Sequence, residues 1–122
     1  MFFSDTTLFT TSDITAREGE ILENIPFINR HEVVKHIIEE RIKARFPDIA
    51  DPISEISDPS VFAEAGVCLN LALVLRENSS HKDDIFAVRA ELYQRIFEKE
   101  ILRAFDSLKF DTEENEGVEL VR

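Results

Sequence analysis

The stretch from Val61 to Leu75 constrains this chain more than any other, because only Glu64 and Asn70 within it are strongly polar. A helix apolar on nearly every face must be surrounded, by other helices of its own chain or by neighbouring subunits. At about fifteen residues it is too short to span a bilayer as a helix. Asp58 and Pro59 supply its start, an aspartate N-cap followed by a proline at the first helical position. The buried carboxylate and amide of Glu64 and Asn70 then need partners, either in the fold or across a subunit boundary.

The surrounding elements read as helices too. Thr10-Thr11-Ser12-Asp13 is a helix start with a hydroxyl cap and an acid in the first turn. Gly19 makes that first helix short or broken, since glycine costs about 1 kcal/mol relative to alanine inside a helix. Asn29 and Glu32 have the spacing of a capping box. From Arg30 to Phe46, Val33, Val34, Ile37, Ile38 and Ile42 form an apolar stripe, with Lys35, Glu39, Glu40, Lys43 and Arg45 mostly opposite it, until Pro47. After a polar loop at Asn78 to Lys82, Asp83 or Asp84 caps the longest helix. Its stripe runs Phe86, Ala90, Tyr93, Phe97, Ile101, Ala104, Leu108, widened by Ile85, Val88, Leu92 and Ile96. The chain of 122 residues is one domain by length. The expected fold is all-α: a small four-helix bundle over residues 11–108, an extended N-terminal arm over 1–10, and an acidic C-terminal β-hairpin or arm over 109–122.

Charge narrows the partners. Fourteen Lys and Arg stand against 25 Asp and Glu, a net charge of −11. Affinity for nucleic acid rests on neutralising phosphates, so this balance disfavours it, and an anionic membrane surface likewise. Cys68 is the single cysteine, which excludes an internal disulfide and fits a reducing compartment. Within so apolar a helix its thiol reads as a small hydrophobe. Met1 to Asp5 lacks the basic start and apolar run of a secretory signal.

No catalytic or metal pattern holds. His31-Glu32-Val33-Val34-Lys35-His36 misses the zinc motif, because position i+4 is Lys35 and His36 lies about 100° further round a helix. No Glu has a His three residues later, as a di-iron bundle needs. Asp111, Glu113 and Asn115 echo a calcium loop, but its required glycine is Glu116 and its closing glutamate is Arg122. A Gly-rich phosphate loop is absent. The chain is therefore expected to be no enzyme and to need no cofactor. Arg95, Lys99 and Arg103 form a basic line along the last helix, read as a solvated face with pairs such as Glu91–Arg95, or as a seam facing an acidic neighbouring copy.

Function then lies in surfaces. Phe2, Phe3, Leu8 and Phe9 at one end, and Phe110, Val118, Leu120 and Val121 at the other, are apolar residues with little local means of burial, so another chain is expected to cover them.

The order of these features resembles the head–tail connector (adaptor, or head-completion) proteins of tailed phages, including relatives in Mu-like prophages. The likeness is carried by Phe9-Thr10-Thr11-Ser12-Asp13-Ile14, by the Val33–Phe46 helix ending in Arg45-Phe46-Pro47, and by Asp51-Pro52. The Ala-containing helix from Phe62-Ala63-Glu64-Ala65 to Leu75, the long helix through Tyr93 and Phe97, and Phe110-Asp111-Thr112-Glu113 to Gly117-Val118 complete it. The strongly acidic tail and its less glycine-rich turn depart from many members. The resemblance implies a ring, commonly of twelve copies, between the portal and the tail or next neck protein, with DNA passing through unbound. It places the protein in the virion neck, made in the host cytoplasm, with no membrane partner. A negative passage suits DNA, which it repels. In this reading the C-terminal apolar residues dock on the portal and the N-terminal ones join neighbouring copies. The competing expectation is an acidic helical regulator or inhibitor that binds a host protein.

Overall fold

The central apolar segment becomes the hub of the molecule. In a computed structural model describing residues 7–23, 25–81 and 84–108, it forms helix α3, Ala63–Glu77, with buried residues on every side. A 3-10 turn, Pro59–Phe62, leads into it, with the Asp58 carboxylate accepting from the Ser60 N–H as its cap. Together they run from Pro59 to Glu77, 19 residues that include an 18-residue window of mean hydropathy 1.3, which corrects the shorter length expected. By length and composition alone this run could cross a membrane. Most of it is buried inside the fold, however, as a core helix would be.

Around it stand α1 (Thr11–Leu22), α2 (His31–Arg45) and α4 (Ile85–Ser107), and the described residues contain no strand. The described fold is all-α. Helix α4 packs along α3 most extensively, and the expected stripe faces the core: Ala90, Tyr93, Phe97, Ile101 and Ala104 are buried on it, Leu108 is buried just past its end, and Phe86 is half-buried at its start. Leu69 on α3 is buried as well. The capping residues behave as their chemistry dictates. Thr10 and Asp13 form a reciprocal capping box, and Asp84 caps α4 by accepting from the Ala87 N–H at 2.8 Å.

The expected break in α1 is present and falls at Glu18 (φ −144°, ψ 38°), the residue before Gly19. Three expectations need correction. Asn29 and Glu32 make no capping box. Asn29 Oδ1 instead accepts from the His31 N–H at 2.9 Å, and its Nδ2 donates to Thr11 Oγ1 at 2.9 Å, tying the starts of α1 and α2 together. On α2 the core side is set by Val34, Ile38 and Ile42, spaced four apart, so it is rotated from the stripe expected: Lys35 is buried and Val33 is exposed. On α4, Ile85, Val88 and Leu92 face solvent instead of widening the stripe.

Candidate functional site

Three constructions stand out once the helices are in place. The first anchors the N-terminal segment. Leu8 and Phe9, expected to be covered by a neighbour, are instead buried in the chain's own core. The Leu8 N–H donates to His31 Nε2 at 2.9 Å, and the Phe9 ring sits 5.0 Å from the His31 ring, tilted by 55°. The space for Phe9 exists because residue 66 of α3 has no side chain.

The second is a polar seam where α1 meets α3 and α4. The break at Glu18 turns consecutive side chains to different partners. Arg17 forms an ion pair with Glu64 and lies 3.7 Å from Cys68 Sγ. Glu18, only 11% exposed, accepts from the Tyr93 hydroxyl at 2.6 Å and lies 3.4 Å from the Arg89 guanidinium. Burial, then the Glu18 carboxylate, pushes the Tyr93 phenol well above its usual range. Burial likewise pushes the Cys68 thiol up to about 11, against the pull of Arg17. The Arg17–Glu64, Tyr93–Glu18 and Arg89–Glu18 contacts of this seam fasten α1 to α3 and α4.

The third is the outer face of α4. Ile85, Val88, Leu92, Arg95, Lys99 and Leu102 are all exposed and recur at alternating spacings of three and four, opposite the core stripe. Ile85, Val88 and Leu102 are each more than half exposed. The first half of this face is apolar, and the second half carries Arg95 and Lys99 followed by Leu102. Sequence inspection assigned its apolar half to the core, although the three–four spacing of the six residues was there to be read as a second, separate stripe.

The polar residues of α3 find partners inside the chain. Asn70 is fully buried; its Oδ1 accepts from the Arg30 N–H and its Nδ2 donates to the Ile28 carbonyl, both at 2.7 Å. It thereby fixes the link between α1 and α2. Glu64 is half exposed and held by Arg17, so neither needs a second subunit. Of the basic line, Arg103 pairs with Glu100 at 3.2 Å on its own helix, while Arg95 and Lys99 are exposed. The Glu91–Arg95 pair is not among the ion pairs of the described residues. Phe2, Phe3, Phe110, Val118, Leu120 and Val121 lie outside the described residues.

His31 is engaged by Leu8 and Phe9, and His36 is exposed. Among the described residues, no group of three or more His, Cys, Asp or Glu side chains could hold a metal ion. An open groove of about 370 Å³ runs beside Phe27, Asn29, Arg30, His31, Glu32 and Val33, where Arg30 lies 4.4 Å over the exposed Phe27 ring. Comparison of the chain with protein-family models, curated proteins and solved structures gives no match.

Proposed function

We propose that the chain is a structural protein of the phage neck, an adaptor whose copies form a ring between the portal of the filled head and the tail or next neck protein. It would be a four-helix bundle with an extended N-terminal arm and a C-terminal hairpin or arm. The observation that carries this reading is the apolar row Ile85, Val88 and Leu92, lying exposed on a helix whose opposite face already forms the core. Contiguous apolar side chains on an exposed face mark an interaction surface. In the ring, of twelve copies on the family pattern, the Arg95, Lys99 and Arg103 line meets an acidic flank of the next copy. Leu8 and Phe9 are occupied in the core, which leaves Phe2 and Phe3 to join neighbours. Phe110, Val118, Leu120 and Val121 anchor the ring on the portal. The protein performs no catalysis and takes no cofactor, and its net charge of −11 lets DNA pass without binding it.

The test is the mass of the purified full chain by size-exclusion chromatography with light scattering, alone and with a portal protein. A ring-sized mass, alone or on the portal, supports the adaptor. A monomer that ignores the portal overturns it. Were that monomer to take up one host protein in a one-to-one complex, the regulator reading would replace it.

A further inference from the structure

The outer row of α4 keeps a stricter period than the row that forms the core. Ile85, Val88, Leu92, Arg95, Lys99, Leu102 and Asp106 follow one another at spacings of 3-4-3-4-3-4, and all are exposed. The core row, from Phe86 to Leu108, runs 4-3-4-4-3-4. An unbroken alternation of three and four is the seam of a helix that packs lengthwise against another helix. Three charges on this side are also unpaired within the chain. Among the described residues, the exposed side chains of Glu91, Arg95 and Lys99 make no ion pair or hydrogen bond, although Glu91 and Arg95 stand four apart.

We infer that this row is the seam of an antiparallel pair made by the α4 helices of two copies of the chain. Charge decides the direction. A parallel pair sets each residue against its equivalent, so Arg95 meets Arg95 and Lys99 meets Lys99. Charge and length together decide the register. With Ile85 opposite Leu102 of the second copy, Val88 faces Lys99 and Leu92 faces Arg95, and the seam runs for about 26 Å. Sliding by seven residues one way sets Arg95 against Lys99, and the other way leaves Leu102 beyond the start of the facing helix. In the favoured register Glu91 lies within one turn of both Arg95 and Lys99 of the second copy, which gives these charges their partners. The aliphatic stems of Arg95 and Lys99 cover Leu92 and Val88 while their heads reach those carboxylates. Glu98, the other acid beside the seam, is already held by Arg41 of its own chain. Asp106 falls past the last layer and stays in solvent. One helix seam is small for a specific interface, so the pair should come apart at concentrations on the order of micromolar. A two-fold pair holds its copies in opposite orientations. It therefore belongs to the free chain and opens before copies line up in a ring, and it does not rest on the neck reading.

Sedimentation velocity of the full chain over about 1–100 µM tests it, and the mass should rise from that of one chain to that of two. Glu91→Lys in one preparation, and Arg95→Glu with Lys99→Glu in another, should each weaken the pair at least ~10-fold. An equal mixture of those two preparations should pair again, because every facing charge is then opposite. Direction is read by disulfide trapping. Ile85→Cys mixed with Leu102→Cys should give a linked mixed dimer, and neither variant should link to itself; native Cys68 is buried. A chain that stays monomeric, a mass above two chains, a mixture that fails to pair, or Ile85→Cys linking to itself would each overturn the inference. The neck reading fails separately: a monomer that still joins the portal removes only the pair, and a pair that ignores the portal removes only the adaptor.

Discussion

The ring of Phe9 lies directly over Gly66, so close that a Cβ there would sit 2.8 Å from Cδ1 and 2.9 Å from Cε1. A glycine in the first turn of the most buried helix is thus the socket for a residue 57 positions earlier. The ring cannot simply swing aside, since the Leu8–His31 hydrogen bond holds the preceding residue and the His31 ring flanks it. Two effects oppose each other in Gly66→Ala. Helix propensity favours alanine by about 1 kcal/mol, and overpacking a filled core costs about 1–3 kcal/mol. With Phe9 pinned, overpacking should win, and urea denaturation should show a net loss of stability. A stabilised Gly66→Ala protein would mean that Phe9 has room to move.

What could be read from the sequence was whatever local chemistry decides. The caps at Thr10, Asp58 and Asp84 depend on side chains reaching backbone two or three residues on, and the core stripe of α4 depends only on helical period. The α3 hub was legible because apolarity on every face leaves one outcome. The burial of Leu8 and Phe9 was not, because it depends on a missing side chain far away at Gly66. The outer row of α4 was missed for a related reason. Periodicity locates a stripe around a helix, but which of two stripes faces inward depends on where α3 lies. The place of the break, at Glu18, goes with its contacts to Tyr93 and Arg89, 75 and 71 positions away.

Asn70 satisfies two backbone groups of the α1–α2 link at once, so its loss should be felt as an unmet need and not as lost volume. Asn70→Ala leaves the Arg30 N–H and the Ile28 carbonyl without their partner. A buried unpaired group costs about 1–3 kcal/mol, and chemical denaturation should return a loss in or above that range. Because both partners belong to the same chain, the mass of any assembly should be unchanged once the variant is folded. A variant that folds with full stability but no longer self-associates would place Asn70 at a subunit boundary.

Arg41 grips Glu98 through two bonds, of 2.9 and 2.7 Å, while its guanidinium lies 5.2 Å from the Phe97 ring centre. The Arg41 hydrogen bond holds the Glu98 carboxyl below its usual range. A carboxylate so depressed adds stability that is present above its unfolded value and is lost as pH falls through the folded one. The stability difference between the native chain and Arg41→Gln should therefore be constant near neutrality and shrink below about pH 4.3, the ordinary glutamate value. Both side chains are half exposed, so the difference should be within ~1 kcal/mol. Denaturation midpoints measured across pH 3 to 7 would check it, and a gap that widens in acid would contradict it.

Tyr93 is the only tyrosine, and the chain has no tryptophan, so the ultraviolet absorbance of phenolate reports this one group. Its hydroxyl donates to Glu18 Oε2 at 2.6 Å, and ionising it would put a second negative charge against a carboxylate that is itself mostly buried. Burial first and Glu18 second hold the phenol protonated. In the folded protein it should therefore remain un-ionised where an ordinary tyrosine titrates, near pH 10. The sign for stability follows. The unfolded chain releases this proton before the folded one, so the contribution of Tyr93 is complete below about pH 10 and falls as pH rises beyond it. Absorbance and helical circular dichroism followed together should rise and collapse in one step, because the phenol ionises freely only once the helices separate. Glu18→Gln keeps the burial and removes the charge, so it should move the absorbance step to lower pH, ahead of the loss of helix. A native chain whose tyrosine titrates near pH 10 with its helices intact would show that the α1–α4 contact through Glu18 is open to solvent.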